Sequence, residues 1–235
     1  MLAVVDDKTL FVLLDKRCNQ TYGPVMTIPQ QSIDFIVNEE TGGAGYYSAV
    51  ACHPVWPGGI SGITIGVGYD LGENSLQAFQ QAWGAVLPAS DIAALTPAIG
   101  IKGGSASVEA QLQQLVHQLS GISIPWAAAN SVFATSTLPH YEAMTLSTFP
   151  GLSGLNGLCI GAMVSLVYNR GTSLVGSSRS EMATIHNLIP AGTPAGVPDQ
   201  FRAMVRLWPT VPDLQKRRQA EADMFQQGLD AMGIA

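Results

Sequence analysis

The chain has 235 residues, of which 47% are hydrophobic and 12% are charged, and its formal net charge is −6. This apolar content excludes an intrinsically disordered protein. The negative charge argues against nucleic-acid binding, which needs a basic surface. No apolar run reaches the roughly 18 residues of a membrane-spanning helix, so none is expected.

Residues 1–31 are predicted to form an irregular N-terminal segment. They combine a strand-like apolar run at 9–14 with turn-forming residues at 22–24 and Pro29. Acidic residues precede the apolar run and no small-residue cleavage site follows it, so we expect no secretory signal. No chemistry is expected in this segment.

Cysteine and histidine spacings indicate no metal centre. Cys18, Cys52 and Cys159 are far apart and lack a C-x-x-C pair, so a zinc ribbon or a disulfide framework is excluded. Three free thiols are expected, although a single disulfide stays open. The four histidines have no ligand spacing, and we expect neither a metal nor another cofactor.

Residues 32–75 are predicted to form a small lobe with a helix and a hairpin. A helix of about two turns starts with Ser32 as its N-cap and ends before Gly42. A stretch rich in glycine and proline follows. Residues 62–72 then alternate β-branched residues with glycines, a pattern that predicts a strand or hairpin whose backbone is approached closely.

Residues 76–235 are predicted to form a larger helical lobe. Helical periodicity marks segments at 76–87, 90–95, 107–119, 124–145, 180–188, 199–207 and 214–232. The segment 155–168 is apolar on every side, so it is the predicted central helix, with a C-cap at 169–171. The predicted fold class is α+β, mostly helical, with residues 32–235 as one catalytic domain.

The spacing of the carboxylates points to one candidate site. No acidic residue lies between Glu40, at the predicted helix end, and Asp70, at the end of the glycine-rich strand. If the strand folds back beside the helix, the two carboxylates face one gap, as glycoside hydrolysis requires, and Thr64 can bind the attacking water. The alternatives are a solvated Glu40 and an Asp70 that accepts backbone N–H bonds in a turn.

Four motifs resemble those of phage-type lysozymes and related endolysins. They are Thr-Ile-Gly-Val-Gly-Tyr at 64–69 after a helix ending in Glu, and the segments at 162–171, 201–208 and 214–222. The resemblance spans about residues 32–228 in the order of that family. In the commoner members the catalytic Asp lies between the Glu and the Thr, whereas residues 41–63 of this chain contain no Asp. The chain is more similar to the pesticin-like subgroup, in which the Asp follows the Thr.

This resemblance implies a two-lobed, lysozyme-like fold and a muramidase. Glu40 is then the general acid, Asp70 activates water and Thr64 positions that water. The bond cleaved is the β-1,4 bond between N-acetylmuramic acid and N-acetylglucosamine, with inversion of configuration. Glu39 remains the alternative to Glu40 as the acid.

The resemblance also implies supporting residues. Arg217 is expected to pair with a carboxylate of the catalytic helix; alternatively it is a solvated residue paired with Glu221 on its own helix. Tyr47 and Tyr69 are candidates for stacking on sugars, or else are core residues. Two further residues are expected to line the cleft, of which the first is alternatively a C-cap: Asn169 and Arg170.

The expected partner is the glycan of peptidoglycan, attacked by an antibacterial toxin or an endolysin. We expect a monomer that is made in the cytoplasm and reaches the cell wall after lysis or through a dedicated secretion route; an immunity protein stays open. Two alternatives are a chitin or chitosan glycosidase on the same fold and a non-catalytic module that binds the cell wall.

Overall fold

The computed structural model describes residues 27–234, which are mostly helical and include an antiparallel pair of strands. The strands are β1 (Thr64–Ile65) and β2 (Tyr69–Asp70). The α-helices are α1 (Gln30–Thr41), α2 (Gly43–Tyr46), α3 (Leu76–Trp83), α4 (Ala89–Leu95), α5 (Ala106–Gln118), α6 (Trp126–Val132), α7 (Leu138–Thr148), α8 (Gly157–Arg170), α9 (Ser180–Leu188), α10 (Val197–Ala203) and α11 (Pro212–Asp230). The mostly helical α+β class is thus confirmed. Within 27–234, no helix combines the length and apolarity needed to cross a membrane.

The first helix starts earlier than the sequence predicted. The carbonyl of Pro29 accepts the backbone N–H groups of Ser32 and Ile33 at 2.9 and 3.3 Å, so α1 begins at Gln30 and runs for three turns instead of two. Ser32 is therefore a buried residue inside the helix and not its N-cap. The strand-like run predicted at 9–14, like Cys18, lies outside the described residues.

The other predicted helices are present, with their ends shifted by a few residues. The segment predicted at 124–145 consists of α6 and α7 joined by a π-helical turn, Phe133–Thr137. The segment predicted at 199–207 consists of α10 and a 3-10 turn, Met204–Leu207. Hydrophobic periodicity located these elements, but the changes of helical type have no apolar signature of their own.

Helix α8 is the central helix, as its uniform apolarity predicted. Every residue from Cys159 to Val167 is buried, and the helix packs against α1, α7 and α11. It ends at Gly171, whose φ of +70° favours glycine, so the predicted C-cap is also confirmed. Cys52 and Cys159 are buried free thiols, and burial raises the pKa of Cys159 to about 12.

The hairpin places Thr64 and Asp70 opposite each other. The register pairs Thr64 with Asp70 and Ile65 with Tyr69. Alternation buries Ile63 and Ile65, whereas Thr64 and Asp70 remain partly exposed. Gly66 has a φ of +58°, and a Cβ atom there would lie 2.7 Å from Trp83, so the predicted close approach to the backbone is present.

A close contact between glycine and serine fixes α1 on α8. A Cβ atom at Gly161 would overlap both side-chain atoms of Ser32. We therefore expect Gly161→Ala to lower the free energy of unfolding by about 2 kcal/mol, since overpacking outweighs the gain in helix propensity. Urea denaturation measures this. Gly154→Ala is the control, because a Cβ atom at Gly154 meets open space; equal stability of the two variants would contradict the prediction.

Candidate active site

Asp70 is held by backbone amides at the end of the hairpin. Its Oδ1 accepts the N–H groups of Gly62 and Gly72 at 3.1 and 2.7 Å, and its Oδ2 lies 3.1 Å from the Gly62 nitrogen. This is the turn chemistry that the sequence left open for Asp70. The same contacts orient the carboxylate and leave acceptor capacity on Oδ2.

Thr64 lies directly opposite Asp70 across the hairpin. Side chains of opposed residues project from the same face of an antiparallel pair, with Cβ atoms about 5 Å apart. The backbone of Thr64 is fixed by bonds to Val55 at 2.7 and 3.0 Å. The hairpin therefore brings the predicted pair Thr64 and Asp70 together.

Glu40 lies in the last turn of α1 and pairs with an arginine from the far end of the chain. The Nη1 of Arg217 donates to the Oε1 of Glu40 at 2.6 Å. The Arg217 side chain is 3% exposed and that of Glu40 is 23% exposed, so a buried cation holds a partly accessible carboxylate. Arg217 also contacts Glu221 at 3.3 Å, the partner expected on its own helix.

A buried polar network fixes Arg217 itself. Its Nη2 donates to the carbonyl and hydroxyl oxygens of Ser165 at 3.2 and 3.1 Å. The Ser165 hydroxyl donates to Oε1 of Glu221 at 2.6 Å, and Arg218 donates to the same oxygen at 2.9 Å. Burial lowers the pKa of Arg218 to about 10, so it is charged at neutral pH. Glu40 is thus anchored through Arg217 to α8 and α11.

Breaking this network is expected to destabilise the fold. Arg217→Met removes one cation and leaves the buried carboxylate of Glu221 with a single guanidinium partner. We expect the free energy of unfolding to fall by about 3 kcal/mol, because removing one partner of a buried pair leaves the other charge under-compensated. Urea denaturation measures the loss. Arg217→Lys keeps the positive charge, so its free energy of unfolding should fall by less. Equal losses in the two variants would show that the missing charge does not cause the destabilisation.

Tyr141, on α7, packs beside the hairpin and against Tyr168 of α8. Burial raises the pKa of its phenol, and the negative charges of Glu40, Glu73 and Asp70 raise it further. Its ring centroid lies 4.4 Å from that of Tyr168, whose hydroxyl donates to the Val67 carbonyl at 3.2 Å. These contacts connect α7 and α8 to the tip of the hairpin.

A cleft of about 510 Å³ lies between the hairpin and α7. Its lining includes Asp70, Tyr69, Thr137, His140 and Tyr141. The buried hydroxyls of Tyr69 and Thr137 have no hydrogen-bond partner among residues 27–234, and burial raises the pKa of Tyr69 to about 12, so this phenol stays protonated. Among its lining residues, the cleft thus combines an aromatic ring (Tyr141), a carboxylate (Asp70) and an exposed imidazole (His140).

A second cavity, of about 550 Å³, lies between α1 and α6. Asp34 and Trp126 line it, and none of the predicted site residues does. This second cavity is therefore separate from the candidate catalytic residues.

Three of the other predicted residues have clear structural roles. Tyr47 is fully buried and its hydroxyl donates to the Ile124 carbonyl at 3.2 Å, so it packs in the core and is not available to a sugar in this structure. The Oδ1 of Asn169 accepts a bond from Arg218 at 3.3 Å. Arg170 stacks on Trp208, with 4.8 Å from its guanidinium carbon to the ring centroid.

Glu39 lies beside Glu40 but differs in its contacts. Partial burial raises its pKa, Arg217 opposes this, and the charge of Glu40 adds to it. Within residues 27–234 only Glu40 of the two forms an ion pair. Glu40 is therefore the carboxylate that the structure anchors.

The sequence did not indicate three residues near the site. Tyr141 and His140 belong to an ordinary helical pattern, and Glu73 follows the hairpin and pairs with Lys102. No local motif distinguishes them. Only the packing of α7 against the hairpin reveals their position.

In comparison with known proteins, part of the chain matches a domain family whose function is unknown. Residues 33–145 match the family model of a domain of unknown function, DUF8812. No curated protein matches the chain. The matched segment contains Glu40, Thr64, Asp70 and Tyr141, whereas Arg217 lies beyond it.

Proposed function

We propose that the protein is a peptidoglycan hydrolase, a muramidase with a two-lobed, lysozyme-like fold. One observation carries the proposal. Helix α8 is bonded to both regions that carry the carboxylates: the Ser165 carbonyl accepts a bond from Arg217, which holds Glu40, and the Tyr168 hydroxyl donates to the Val67 carbonyl in the hairpin that carries Asp70. Two carboxylates from different elements that are fixed to one helix, with Asp70 in the lining of a cleft, suit acid and base catalysis of glycoside hydrolysis.

Glu40 acts as the general acid in this proposal. Its Oε1 is bound by Arg217, so Oε2 carries the proton that goes to the glycosidic oxygen. As the proton leaves, the guanidinium stabilises the carboxylate that forms. Because Arg217 is itself bonded to Ser165 and Glu221, the acid is preorganised and does not have to be ordered during the reaction.

Asp70 acts as the general base in the same reaction. Its Oδ2 accepts a proton from water while the backbone bonds from Gly62 and Gly72 hold the carboxylate in place. The hydroxyl of Thr64, on the same face of the hairpin, orients that water. Attack from the side opposite to the leaving oxygen inverts the configuration at the anomeric carbon.

The cleft is the proposed binding surface for the glycan. The half-buried ring of Tyr141 offers an aromatic face to a sugar. His140 adds a polar group to the same wall. The two tyrosines predicted to stack on sugars, Tyr47 and Tyr69, are not included, because both are buried in the core.

The test compares purified peptidoglycan with chitin. New reducing ends are measured for the wild-type protein on each polymer, and we expect release from peptidoglycan. Cleavage of chitin alone would overturn the proposal and favour a chitin-type glycosidase. Binding to cell walls without any release would favour a non-catalytic module. The cellular role proposed is that of an antibacterial toxin or endolysin.

A further inference from the structure

Three arginines converge on a short turn outside the candidate catalytic site. Arg170, at the end of α8, donates to the Ser178 carbonyl at 2.5 Å. Arg206 donates to the neighbouring Ser177 carbonyl at 3.0 Å. Arg179 belongs to the turn itself. We refer to Arg170, Arg179 and Arg206 as the arginine cluster.

The arginine cluster has more positive than negative charge. Within residues 27–234, Glu181 is the carboxylate that forms an ion pair with it, through Arg206 at 2.6 Å, while Arg170 and Arg179 have no ion-pair partner. Burial and the charge of Arg179 lower the pKa of Arg170, which the carboxylates of Glu181 and Glu221 only partly oppose. This excess is unusual in a chain whose net charge is −6.

The donors of the cluster are not fully used. The Nε of Arg170 is buried without a hydrogen-bond partner among residues 27–234. Arg179 donates from Nη1 to the Sδ of Met182 at 3.4 Å, and a thioether is a weak acceptor. Guanidinium groups with free donors bind carboxylates well, because their planar geometry matches two oxygens.

Direct contacts connect the cluster to Glu40. The guanidiniums of Arg170 and Arg218 both lie over the ring of Trp208, at 4.8 and 5.6 Å from its centroid. Arg218 is the neighbour of Arg217, which binds Glu40. Arg217 also donates to the Ser165 carbonyl on α8, and Arg170 follows Ser165 by five residues on the same helix, about 7.5 Å along the helix axis. This spacing is comparable with the length of a short peptide.

We propose that the arginine cluster binds a carboxylate of the stem peptides of peptidoglycan. This inference rests on the proposed function and names the part of the substrate that the cluster recognises. Stem peptides carry several free carboxylates next to the glycan, whereas chitin has none. The cluster thus provides a way to prefer peptidoglycan over an uncharged glycan.

The first test uses a free stem tripeptide, L-alanyl-γ-D-glutamyl-diaminopimelate, and the same peptide with amidated carboxyl groups. Calorimetry at millimolar peptide measures binding to the wild-type protein, to Arg179→Gln and to Arg202→Gln. Arg202 is the matched control, because Asp199 and Asp223 already pair with it at 3.2 and 3.3 Å. We expect the wild-type protein and Arg202→Gln to bind the acidic peptide, and Arg179→Gln to bind it about fivefold more weakly, as befits one partly exposed charge.

Several results would overturn this inference: no binding by the wild-type protein, equal binding of the amidated peptide, or an unchanged affinity in Arg179→Gln. Peptide binding does not require hydrolysis. Peptide binding without cleavage of any wall polymer would therefore reject the muramidase and support recognition of the carboxylate by the arginine cluster. Cleavage of peptidoglycan without peptide binding would support the muramidase and reject that recognition.

A second readout uses intact peptidoglycan and glycan strands freed of stem peptides by an amidase. The cleavage rate on intact peptidoglycan divided by the rate on stem-free strands should fall about fivefold in Arg179→Gln. In Arg202→Gln this ratio should equal that of the wild-type protein. An equal ratio in all three proteins would contradict stem recognition.

Discussion

Glu40→Gln is expected to lower the rate of peptidoglycan cleavage about 10³-fold, because general acid catalysis contributes roughly 10²- to 10⁴-fold to a rate. Glutamine has nearly the same shape and its carbonyl oxygen still accepts the bond from Arg217. The variant therefore removes the transferable proton and keeps the anchor. Turbidity of a wall suspension and release of reducing ends measure the rate.

The control for this prediction is Glu39→Gln. Glu39 is adjacent, and partial burial raises its pKa, a property that also suits a general acid. We expect Glu39→Gln to keep its activity. Loss of activity in Glu39→Gln together with full activity in Glu40→Gln would transfer the acid role to Glu39.

Asp70→Asn is expected to lower the cleavage rate by a similar factor, about 10³-fold, with little change in stability. The amide oxygen of asparagine can accept both backbone bonds that Oδ1 of Asp70 accepts now, from Gly62 and Gly72. The hairpin is therefore kept while the base is lost. Activity and thermal unfolding are measured on the same sample.

Asp70→Ala separates the catalytic role of Asp70 from its structural role. It removes the acceptor of both backbone N–H groups, so we expect it to be inactive and also less stable, by about 1–3 kcal/mol. If Asp70→Asn is fully active and Asp70→Ala is only unstable, Asp70 is a turn residue and the proposed base is wrong.

Much of the fold could be predicted from local sequence patterns. The uniform apolarity of α8 predicted its central position, and the alternation of glycines with β-branched residues predicted the hairpin. The predicted start of α1 was wrong, because Ser32 was interpreted as the N-cap from its residue type alone. Its small side chain fits against Gly161 instead, a tertiary reason that no local pattern contains.

The candidate site was only partly predictable. Thr64 and Asp70 are close in sequence, so one hairpin brings them together. The contact of Glu40 with Arg217 spans 177 positions, and only the resemblance to a family indicated such a pairing. Tyr47 was expected at the cleft because it is aromatic, but residue type does not tell which side of a helix faces the core.

Arg170 was predicted to line the cleft, but its convergence with Arg179 and Arg206 and the position of Tyr141 were absent from the prediction for a related reason. The three arginines come from three different elements, and Arg179 and Arg206 have an ordinary sequence context. Their shared location depends on how α8 and the turn after α10 meet the turn at Ser177–Arg179. Such convergence depends on tertiary packing, which periodicity does not encode.

The most direct test of the proposed muramidase is the identity of the sugar at the new reducing end. Purified peptidoglycan is digested with the wild-type protein, and the new reducing ends are reduced with borohydride. The reduced sugars at the fragment ends are then identified and compared with those of a Glu40→Gln digest. We predict that N-acetylmuramitol accumulates only in the wild-type digest. N-acetylglucosaminitol in its place, or no new reduced sugar, would contradict a muramidase.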